Sequence, residues 1–390
     1  MRVIFLLIAA LIVYGSLFPF NFNYSGWQQV NISDWLSTFY HRTSRGDITG
    51  NVLMFIPLGF FGMLALLQDG KSKPIKYALP FFLATSVFAL SLQLGQLFLS
   101  QRVASVSDAV VNALGLMIGI FCAYTIESKW LRDFYDRDDV AATITIPLII
   151  CVSWIAYLWY PFLIYFNQGY LLTGLARWFE FLNFSWLSFF QSIVYWLMFW
   201  LFFDKLLPNT SIARKYMLYS SAWVVIMLGE GLLINNQTNS ATFMGSIVAL
   251  TMAIYRCRNH RDDSAFNYGL LVLSSIFLII DELSPYSWTT NFSQINLIPF
   301  SYFLNGDLWF NSYLLFKAIF IYSTIFMLLK RVSFSNRQAA LSLISVLVIL
   351  ELSQMFIIDQ QPDITPPIIA LLLVYGLSRL EKVLPVPVNS

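Results

Sequence analysis

The strongest constraint on the fold of this chain is a succession of twelve apolar segments, each roughly 17–25 residues long and so about as long as a bilayer is thick. Only 11% of the 390 residues are charged and 58% are hydrophobic. About a quarter of the residues of a soluble domain are charged, so this chain has too few to cover a water-facing surface. We therefore predict an all-α integral membrane protein. Its predicted spans are 3–20, 51–68, 76–99, 107–127, 141–166, 188–205, 217–235, 240–257, 267–283, 308–329, 338–358 and 365–380.

The loops between these segments carry lysine and arginine very unevenly. Eighteen such residues fall in the loops on one side of the predicted membrane and four in the loops on the other side. Because basic loops stay in the cytoplasm, the richer side is cytoplasmic, and so are both termini. The first apolar run lacks a clear small-residue cleavage site, so we expect it to remain as a span. The four outer basic residues are Arg42, Arg45, Arg102 and Arg177.

Composition excludes several other classes of protein. The net charge of +2 gives no global field, and we expect no nucleic-acid partner. Cys122, Cys151 and Cys257 fall in or at the ends of apolar segments, where cysteine is a small hydrophobic residue rather than half of a disulfide. The two histidines, His41 and His260, are far apart, so we expect no metal site and no cofactor.

The first and last thirds of the chain share spaced motifs, which indicates an internal duplication. Gly46-Asp47-x-x-x-Asn51 matches Gly306-Asp307-x-x-x-Asn311 at an offset of 260 residues. Further on, Gln96-Leu97-Phe98 matches Gln354-Met355-Phe356 at an offset of 258 residues. An even number of spans in each copy keeps the copies in one orientation, unlike the inverted repeats of many transporters.

The middle of the chain matches both copies more weakly. Phe18-Pro19-Phe20 resembles Tyr160-Pro161-Phe162 and Ser284-Pro285-Tyr286, and Gly229-Glu230 stands near the place of Gly95-Gln96. We therefore predict three tandem units of four helices. They are residues 1–130, which carry the polar motif described next, and degenerate second and third units at 131–264 and 265–390.

One set of polar residues, near the predicted outer ends of spans two to four, is complete only in the first unit. In the third unit, Gln360, Pro366 and Ala370 replace its arginine, its second aspartate and its last asparagine. Polar groups within the hydrocarbon are costly and usually face an interior or a cavity. We therefore predict a ligand site there. Its residues are Asp47, Asn51, Gln93, Gln96, Arg102, Ser105, Asp108 and Asn112.

Each of these residues also has a purely structural interpretation. Ser107 or Asp108 could cap the fourth span, since both suit a helix start. Gln93 and Gln96 could form hydrogen bonds between helices. Arg102 could pair with Asp108 and hold a loop. Taken together, however, an arginine, two carboxylates and four amides on one face favour a shared site, and an arginine near helix starts suits phosphate or carboxylate.

Two charged residues lie at the same predicted depth in neighbouring antiparallel spans. Lys317 in span ten and Glu351 in span eleven each stand about seven residues in from the outer end. Because a lone charge there would cost several kcal/mol, we predict an intramembrane ion pair, and leave a proton or ion pathway open. Glu230 in span seven has no evident basic partner in the sequence.

In these residues the first unit resembles the VanZ-like family of membrane proteins, over about residues 1–125. That family commonly has glutamate where Gln93 stands and acids where Ser105 and Ser107 stand, so fewer carboxylates weaken any acid–base or cation-binding role here. The motifs that carry the resemblance are Tyr14–Phe20, Asp47-x-x-x-Asn51-x-x-x-Phe55-Ile56-Pro57-Leu58-Gly59-Phe60, Gln93-x-x-Gln96-x-Phe98-x-x-x-Arg102 and Asp108-x-x-x-Asn112-x-x-Gly115-x-x-x-Gly119.

The resemblance implies a multi-pass protein of the bacterial cytoplasmic membrane, of the kind linked to teicoplanin, a glycopeptide antibiotic, and to envelope polysaccharide loci. It implies no agreed biochemical activity. From the residues we expect a non-enzymatic protein that binds membrane lipids through an extracytoplasmic anionic headgroup. The candidate ligands are a polyprenyl-phosphate and a lipid-linked glycan, and an envelope-biosynthesis protein is a candidate partner.

Two other functions stay open at this point. A membrane transferase or hydrolase would use Asp47 or Asp108 as a general base and Arg102 to stabilise a phosphoryl group. The polar set contains no nucleophile–base pair and no histidine, which weighs against catalysis. A flippase or transporter is the second alternative, and the number of spans is weak evidence for it.

Overall fold

The structure, a computed structural model, describes residues 1–23, 35, 45–67, 74–99, 104–128, 140–162, 168–182, 184–208, 210–233, 238–259, 264–301, 304 and 308–383. Within these ranges there are thirteen α-helices and no extended strand, only isolated β-bridges. The prediction of an all-α fold is therefore confirmed. Eight of the described helices are long and apolar enough to cross a membrane, which makes the chain a multi-pass membrane protein.

The helices lie where the apolar segments are. Each predicted span shares most of its length with one helix, and the thirteenth helix is a short one after the fifth span. The helices are α1 (Arg2–Leu17), α2 (Arg45–Leu67), α3 (Pro74–Gln96), α4 (Val106–Ile126), α5 (Val140–Trp159), α6 (Gln168–Ala176), α7 (Trp186–Phe203), α8 (Ile212–Leu232), α9 (Ser240–Asn259), α10 (Ser264–Glu282), α11 (Leu308–Arg331), α12 (Asn336–Gln354) and α13 (Thr365–Val383).

The helices form two compact units. One comprises residues 1–141 with 307–309, and the other comprises residues 142–306 with 310–390. The first compact unit contains the helices of the first predicted repeat. Its core is built where α1, α2, α3 and α4 meet. The buried residues of that core are Ile12, Phe55, Leu58, Ala89, Leu92 and Leu116.

The second compact unit contains the helices of the second and third predicted repeats, and the division of the chain into three repeats stays a prediction. Its most central helix is α7, which packs against α9 and α10. From Val194 to Phe202 every residue of α7 is buried. A helix that is apolar on all sides belongs in the interior of its unit, and α7 meets that expectation with a run of large aromatic residues.

Glycines bring α2 and α4 unusually close together in the first compact unit. A Cβ added at Gly59 would lie 2.3 Å from the Leu116 carbonyl oxygen, and one at Gly119 would lie 2.2 Å from the Ile56 carbonyl oxygen. Such backbone contact needs residues without side chains, as in the small-residue interfaces of membrane helices. The Gly115-x-x-x-Gly119 motif therefore serves helix packing.

The three proline motifs of the sequence form the same turn at the ends of α1, α5 and α10. In each, the X-Pro bond is cis and the following aromatic residue has a positive φ of 62–63°. That residue also donates a backbone hydrogen bond to the carbonyl oxygen three positions earlier. The bonds are Phe20 to Leu17 at 2.8 Å, Phe162 to Trp159 at 2.6 Å and Tyr286 to Leu283 at 2.9 Å.

Candidate functional site

Ser105 caps the first turn of α4 in the first compact unit. Its Oγ accepts a hydrogen bond from the Ser107 backbone N–H at 3.2 Å and lies 2.6 Å from Ser107 Oγ. Asp108 follows in the first helical turn, where a carboxylate interacts favourably with the helix dipole. The start of α4 is therefore held in place by its own serines.

Two glutamines of α3 fix the elements around this helix start. Gln93 is buried, and its Oε1 accepts a hydrogen bond from the Ser105 backbone N–H at 3.2 Å. Gln96 Nε2 donates to the Ser16 carbonyl oxygen near the end of α1 at 3.0 Å. These bonds join α3 to α4 and to α1, so both amides have an internal structural role.

Asn112 lies one turn deeper in α4 and is 3% exposed. Its Oδ1 is buried, and none of the described residues donates a hydrogen bond to it. A buried polar atom without a partner costs about 1–3 kcal/mol, so such atoms usually have a water, ion or ligand as their partner. Asn112 is therefore a residue of the predicted set whose buried oxygen suits a partner from outside the described residues.

The packing of α2 against α4 gives the level of the remaining residues. A Cβ at Gly115 would meet the Val52 carbonyl oxygen at 2.4 Å, and one at Gly119 would meet that of Ile56. The two helices pack closely side by side and rise by the same distance per residue. The pairing of residues at these contacts therefore continues, turn by turn, towards the starts of both helices. It puts Asn112 one turn above the Gly115–Val52 contact and thus close to the level of Asn51.

The same register brings Asp47 and Asp108, four residues earlier in each helix, to one level at the beginning of the helix pair. Asp47 belongs to α2, but its side chain lies outside the part of the chain whose side chains are described. Arg102 lies outside the described residues altogether. The predicted site is therefore placed by its helices, and the role of each residue in binding stays a prediction.

The third predicted repeat has the same hydrogen bonds at the equivalent places. Glu351 Oε2 accepts from the Asp363 backbone N–H at 2.9 Å, as Gln93 accepts from Ser105. Gln354 Nε2 donates to the Glu282 carbonyl oxygen at 3.0 Å. Asp363 in turn accepts a hydrogen bond from the Thr365 backbone N–H, and burial raises the pKa of the Asp363 carboxyl above its ordinary value.

The ion pair of Lys317 differs from the predicted one. Lys317 Nζ lies 2.7 Å from Asp281 Oδ2, whereas Glu351 is engaged by the backbone before α13. Asp281 and Glu282 stand at the end of α10 and Glu351 near the end of α12, so depth alone offers Lys317 several acids. Only the packing of the helices selects Asp281.

Asp281 is the centre of a polar cluster that the sequence did not reveal. Gln191 Nε2 donates to both of its carboxylate oxygens at 2.7 and 2.8 Å, and the Tyr195 hydroxyl lies 3.0 Å from its Oδ2. The cluster borders a cavity of about 170 Å³ within the second compact unit. An acid four residues before Pro285, near the end of an apolar span, was the signal that could have found it.

An apolar groove of about 700 Å³ runs along the first compact unit between α1, α2 and α3. It lies towards the beginning of α1, away from the polar set, and Arg2 stands at its end. Its residues are Arg2, Phe5, Leu6, Ala9, Leu58, Gly62, Ala65, Leu66, Phe81, Ala84, Thr85 and Phe88.

Comparison with known proteins gives one match. Residues 5–127 match the family model described as VanZ/LLP1. This range coincides with the region in which the motifs resemble the VanZ-like family, so that resemblance is confirmed for the first third of the chain. No curated protein and no solved structure matches the chain.

Proposed function

We propose, from the VanZ/LLP1 match of residues 5–127, that this region binds the anionic headgroup of an envelope lipid on the outer face of the bacterial cytoplasmic membrane. The candidate ligands are a polyprenyl-phosphate and a lipid-linked glycan. The observation that carries the proposal is the buried Asn112 Oδ1, to which no described residue donates. It lies near the start of α4, close to the level of Asn51, where a sugar hydroxyl of a lipid-linked glycan can supply the missing donor.

The charged residues of the predicted set would bind two different parts of such a ligand, its phosphate and its sugar. Arg102 is one of only four basic residues predicted on the outer side, and a guanidinium binds phosphate through paired hydrogen bonds. The start of α4 also favours negative charge because of its helix dipole. Asp47 and Asp108 would accept hydrogen bonds from the hydroxyls of an attached sugar.

The apolar groove supports a lipid as the ligand. Its 700 Å³ lie between α1, α2 and α3 of the same compact unit that carries the polar set. A headgroup held at the outer end leaves its hydrocarbon tail in the bilayer beside these helices. A groove lined by apolar side chains is the surface on which such a tail packs with the least cost.

Binding without catalysis is the function these residues favour. Gln93, Gln96 and Ser105 are engaged in bonds that hold α3, α4 and α1 together. The remaining polar groups are two carboxylates, two asparagines and one arginine, which bind a headgroup but contain no histidine, cysteine or serine nucleophile. The family link to teicoplanin and polysaccharide loci fits a protein that holds an envelope precursor.

Native mass spectrometry of the gently purified protein tests this proposal. We expect the wild type to retain a polyprenyl-phosphate or glycolipid mass, and Arg102→Ala to lose it. Arg177→Ala is the matched control, because it also removes a predicted outer arginine but lies outside the polar set. That control should retain the lipid.

Two results would overturn the proposal. Bulk phospholipid alone, identical in the wild type and in Arg102→Ala, would mean that the polar set binds no special headgroup. Loss of membrane abundance in Arg102→Ala, without loss of bound lipid from the surviving protein, would assign Arg102 a folding role. Asn112→Ala provides a second readout. Removal of the amide should weaken lipid retention, and it should stabilise the lipid-free protein because the buried oxygen without a described donor is gone.

A further inference from the structure

One wall of the cavity of about 170 Å³ in the second compact unit carries a carboxylate with an oxygen to which no described residue donates a hydrogen bond. Glu230 of α8 is 2% exposed and lines the cavity. Thr238 hydrogen-bonds to the Glu230 carboxyl group, but no described residue donates to its Oε2. A buried carboxylate oxygen without a donor is among the costliest groups a protein can contain, so the site is incomplete as it stands.

The other repeats show how unusual a carboxylate is at this position. In the first and third repeats the equivalent residues are Gln96 and Gln354, whose amides donate to a carbonyl oxygen of the first helix at 3.0 Å. An ionised carboxylate cannot donate such a bond. The Trp159 indole instead packs over Gly229 and donates to the Ile226 carbonyl oxygen at 3.0 Å. Trp159 thus supplies the hydrogen bond between the two helices, and Glu230 lines the cavity.

The charges that border the cavity do not cancel. Lys317 and Asp281 form an ion pair at 2.7 Å, so together they contribute no net charge. When ionised, Glu230 adds one negative charge, and among the described residues no lysine or arginine is paired with it. The other titratable residues on the walls are Tyr157 and Tyr195, which are neutral phenols. The cavity therefore attracts a single positive charge.

The remaining walls suit an organic cation better than a metal ion. Trp154 stacks on Tyr157 with ring centroids 5.4 Å apart, and Trp196 meets Trp154 edge-on at 6.1 Å. Trp154 also packs on Phe320 and Tyr157 stacks on Tyr313, so these rings form an apolar wall for the carbon atoms of an organic cation. In the described part of the chain, no three His, Cys, Asp or Glu side chains come together as metal ligands.

The position of the cavity in its helices agrees with a ligand from the membrane interface. Tyr157, Glu230 and Asp281 each stand within two residues of the end of their helix. The distribution of lysine and arginine predicts that these ends are the outer ones. The ammonium groups of aminolipids and of soluble amines are found at this level.

We propose that this cavity binds one primary ammonium group, presented either by a soluble amine or by the headgroup of an aminolipid such as phosphatidylethanolamine. The ammonium donates a hydrogen bond to Glu230 Oε2, and the carbon atoms next to it pack against Trp154 and Tyr157. This site is distinct from the anionic-headgroup site proposed for residues 5–127 and does not depend on it.

Ethanolammonium chloride is the probe for the soluble arm, with sodium chloride and ethylene glycol as controls of equal concentration. Ethanolammonium should raise the melting temperature of the purified wild-type protein in detergent, while the two controls do not. Equilibrium dialysis with labelled ethanolamine should show that Glu230→Gln weakens binding by roughly tenfold or more, because the charge-assisted hydrogen bond is lost. Glutamine occupies this place in both other repeats, so this variant is expected to fold.

Glu351→Gln is the matched control variant, because its carboxylate oxygen already accepts a bond from the Asp363 backbone. It should bind ethanolamine as the wild type does. Equal stabilisation by ethylene glycol would show that the cavity selects hydroxyls rather than charge. That result, undiminished binding in Glu230→Gln, or loss of binding in both variants would overturn the proposal.

Native mass spectrometry from nanodiscs distinguishes the two sources of the ammonium group. Retention of phosphatidylethanolamine over phosphatidylglycerol, lost in Glu230→Gln, identifies a lipid headgroup. Binding of ethanolamine without lipid retention identifies a soluble amine. The absence of both would refute the site. Arg102→Ala should leave every one of these results unchanged, so failure of this proposal is separable from failure of the headgroup proposal.

Discussion

The first and third predicted repeats form the same hydrogen bonds with different charges. Gln93 and Glu351 each accept from the backbone N–H just before the fourth helix of their repeat, and Gln96 and Gln354 each donate to the first helix. The first repeat does this with amides, whereas the third uses a carboxylate. These positions therefore serve the scaffold, and the residues that carry function are to be sought among the polar residues that differ between the two predicted repeats.

The helix pair α2–α4 offers the sharpest contrast between these two repeats. Gly119 in α4 has no room for a Cβ, since the Ile56 carbonyl oxygen would lie 2.2 Å from it, while Gly376 in α13 has open space around it. We expect Gly119→Ala to destabilise the protein by about 3 kcal/mol through overpacking. Gly376→Ala should stabilise it by up to about 1 kcal/mol, because alanine favours the helix.

Thermal unfolding in detergent, followed by size-exclusion chromatography, measures both glycine variants. Opposite signs would establish that the close helix pair belongs to the first repeat. A neutral Gly119→Ala would mean that α2 and α4 separate easily, and the predicted level of Asn51 and Asn112 would lose its basis.

Substitution of Gln96 and of Gln354 tests whether the equivalent hydrogen bonds of the two predicted repeats contribute equally to stability. Gln96→Leu removes one interhelical hydrogen bond, whereas Gln354→Leu removes two, because Gln354 Nε2 also lies 3.1 Å from Glu282 Oε2. Both variants leave a backbone carbonyl oxygen at the end of the first helix without this donor. We expect each to lower the free energy of unfolding by about 1–2 kcal/mol. Chemical denaturation of the two variants in the same detergent makes the comparison direct, and a loss in only one of them would break the equivalence.

The smallest expected difference concerns pH. Ser105 and Asp363 hold equivalent positions before a helix, but burial raises the pKa of the Asp363 carboxyl in the folded state. The folded state therefore holds this proton more tightly than the unfolded chain does. Its contribution to stability is full below the unfolded pKa and declines as pH rises through the folded pKa.

Replacing Asp363 by serine, the residue of the first repeat, should remove this part of the pH dependence and preserve the cap. Melting temperatures of Asp363→Ser and of the wild type, measured from acidic to neutral pH, should converge at low pH and diverge as pH rises, with the variant more stable. Parallel profiles would show that Asp363 does not titrate differently in the folded state.

The cavity of the second compact unit shows why the sequence did not indicate it. Glu230 was visible in the sequence as an acid without a basic partner. Asp281 and Tyr195, which join Gln191 and Lys317 in one cluster, come from helices far apart along the chain. Depth along a helix follows from counting residues, but the direction in which a side chain points follows from packing.

The sequence by itself determined the class, the spans and the VanZ-like first third. A long apolar segment in a bilayer forms a helix, because every backbone amide there needs a hydrogen-bond partner within the protein. Each of the twelve predicted spans coincides over most of its length with a helix. Tertiary structure alone decided the partners. It paired Lys317 with Asp281 rather than Glu351 and committed Gln93 and Gln96 to the scaffold. It also left Asn112 and Glu230 each with a buried oxygen to which no described residue donates. The physical reason is that hydrophobicity acts over a whole segment, whereas a hydrogen bond or ion pair depends on which two atoms the packing brings within 3 Å or so of each other.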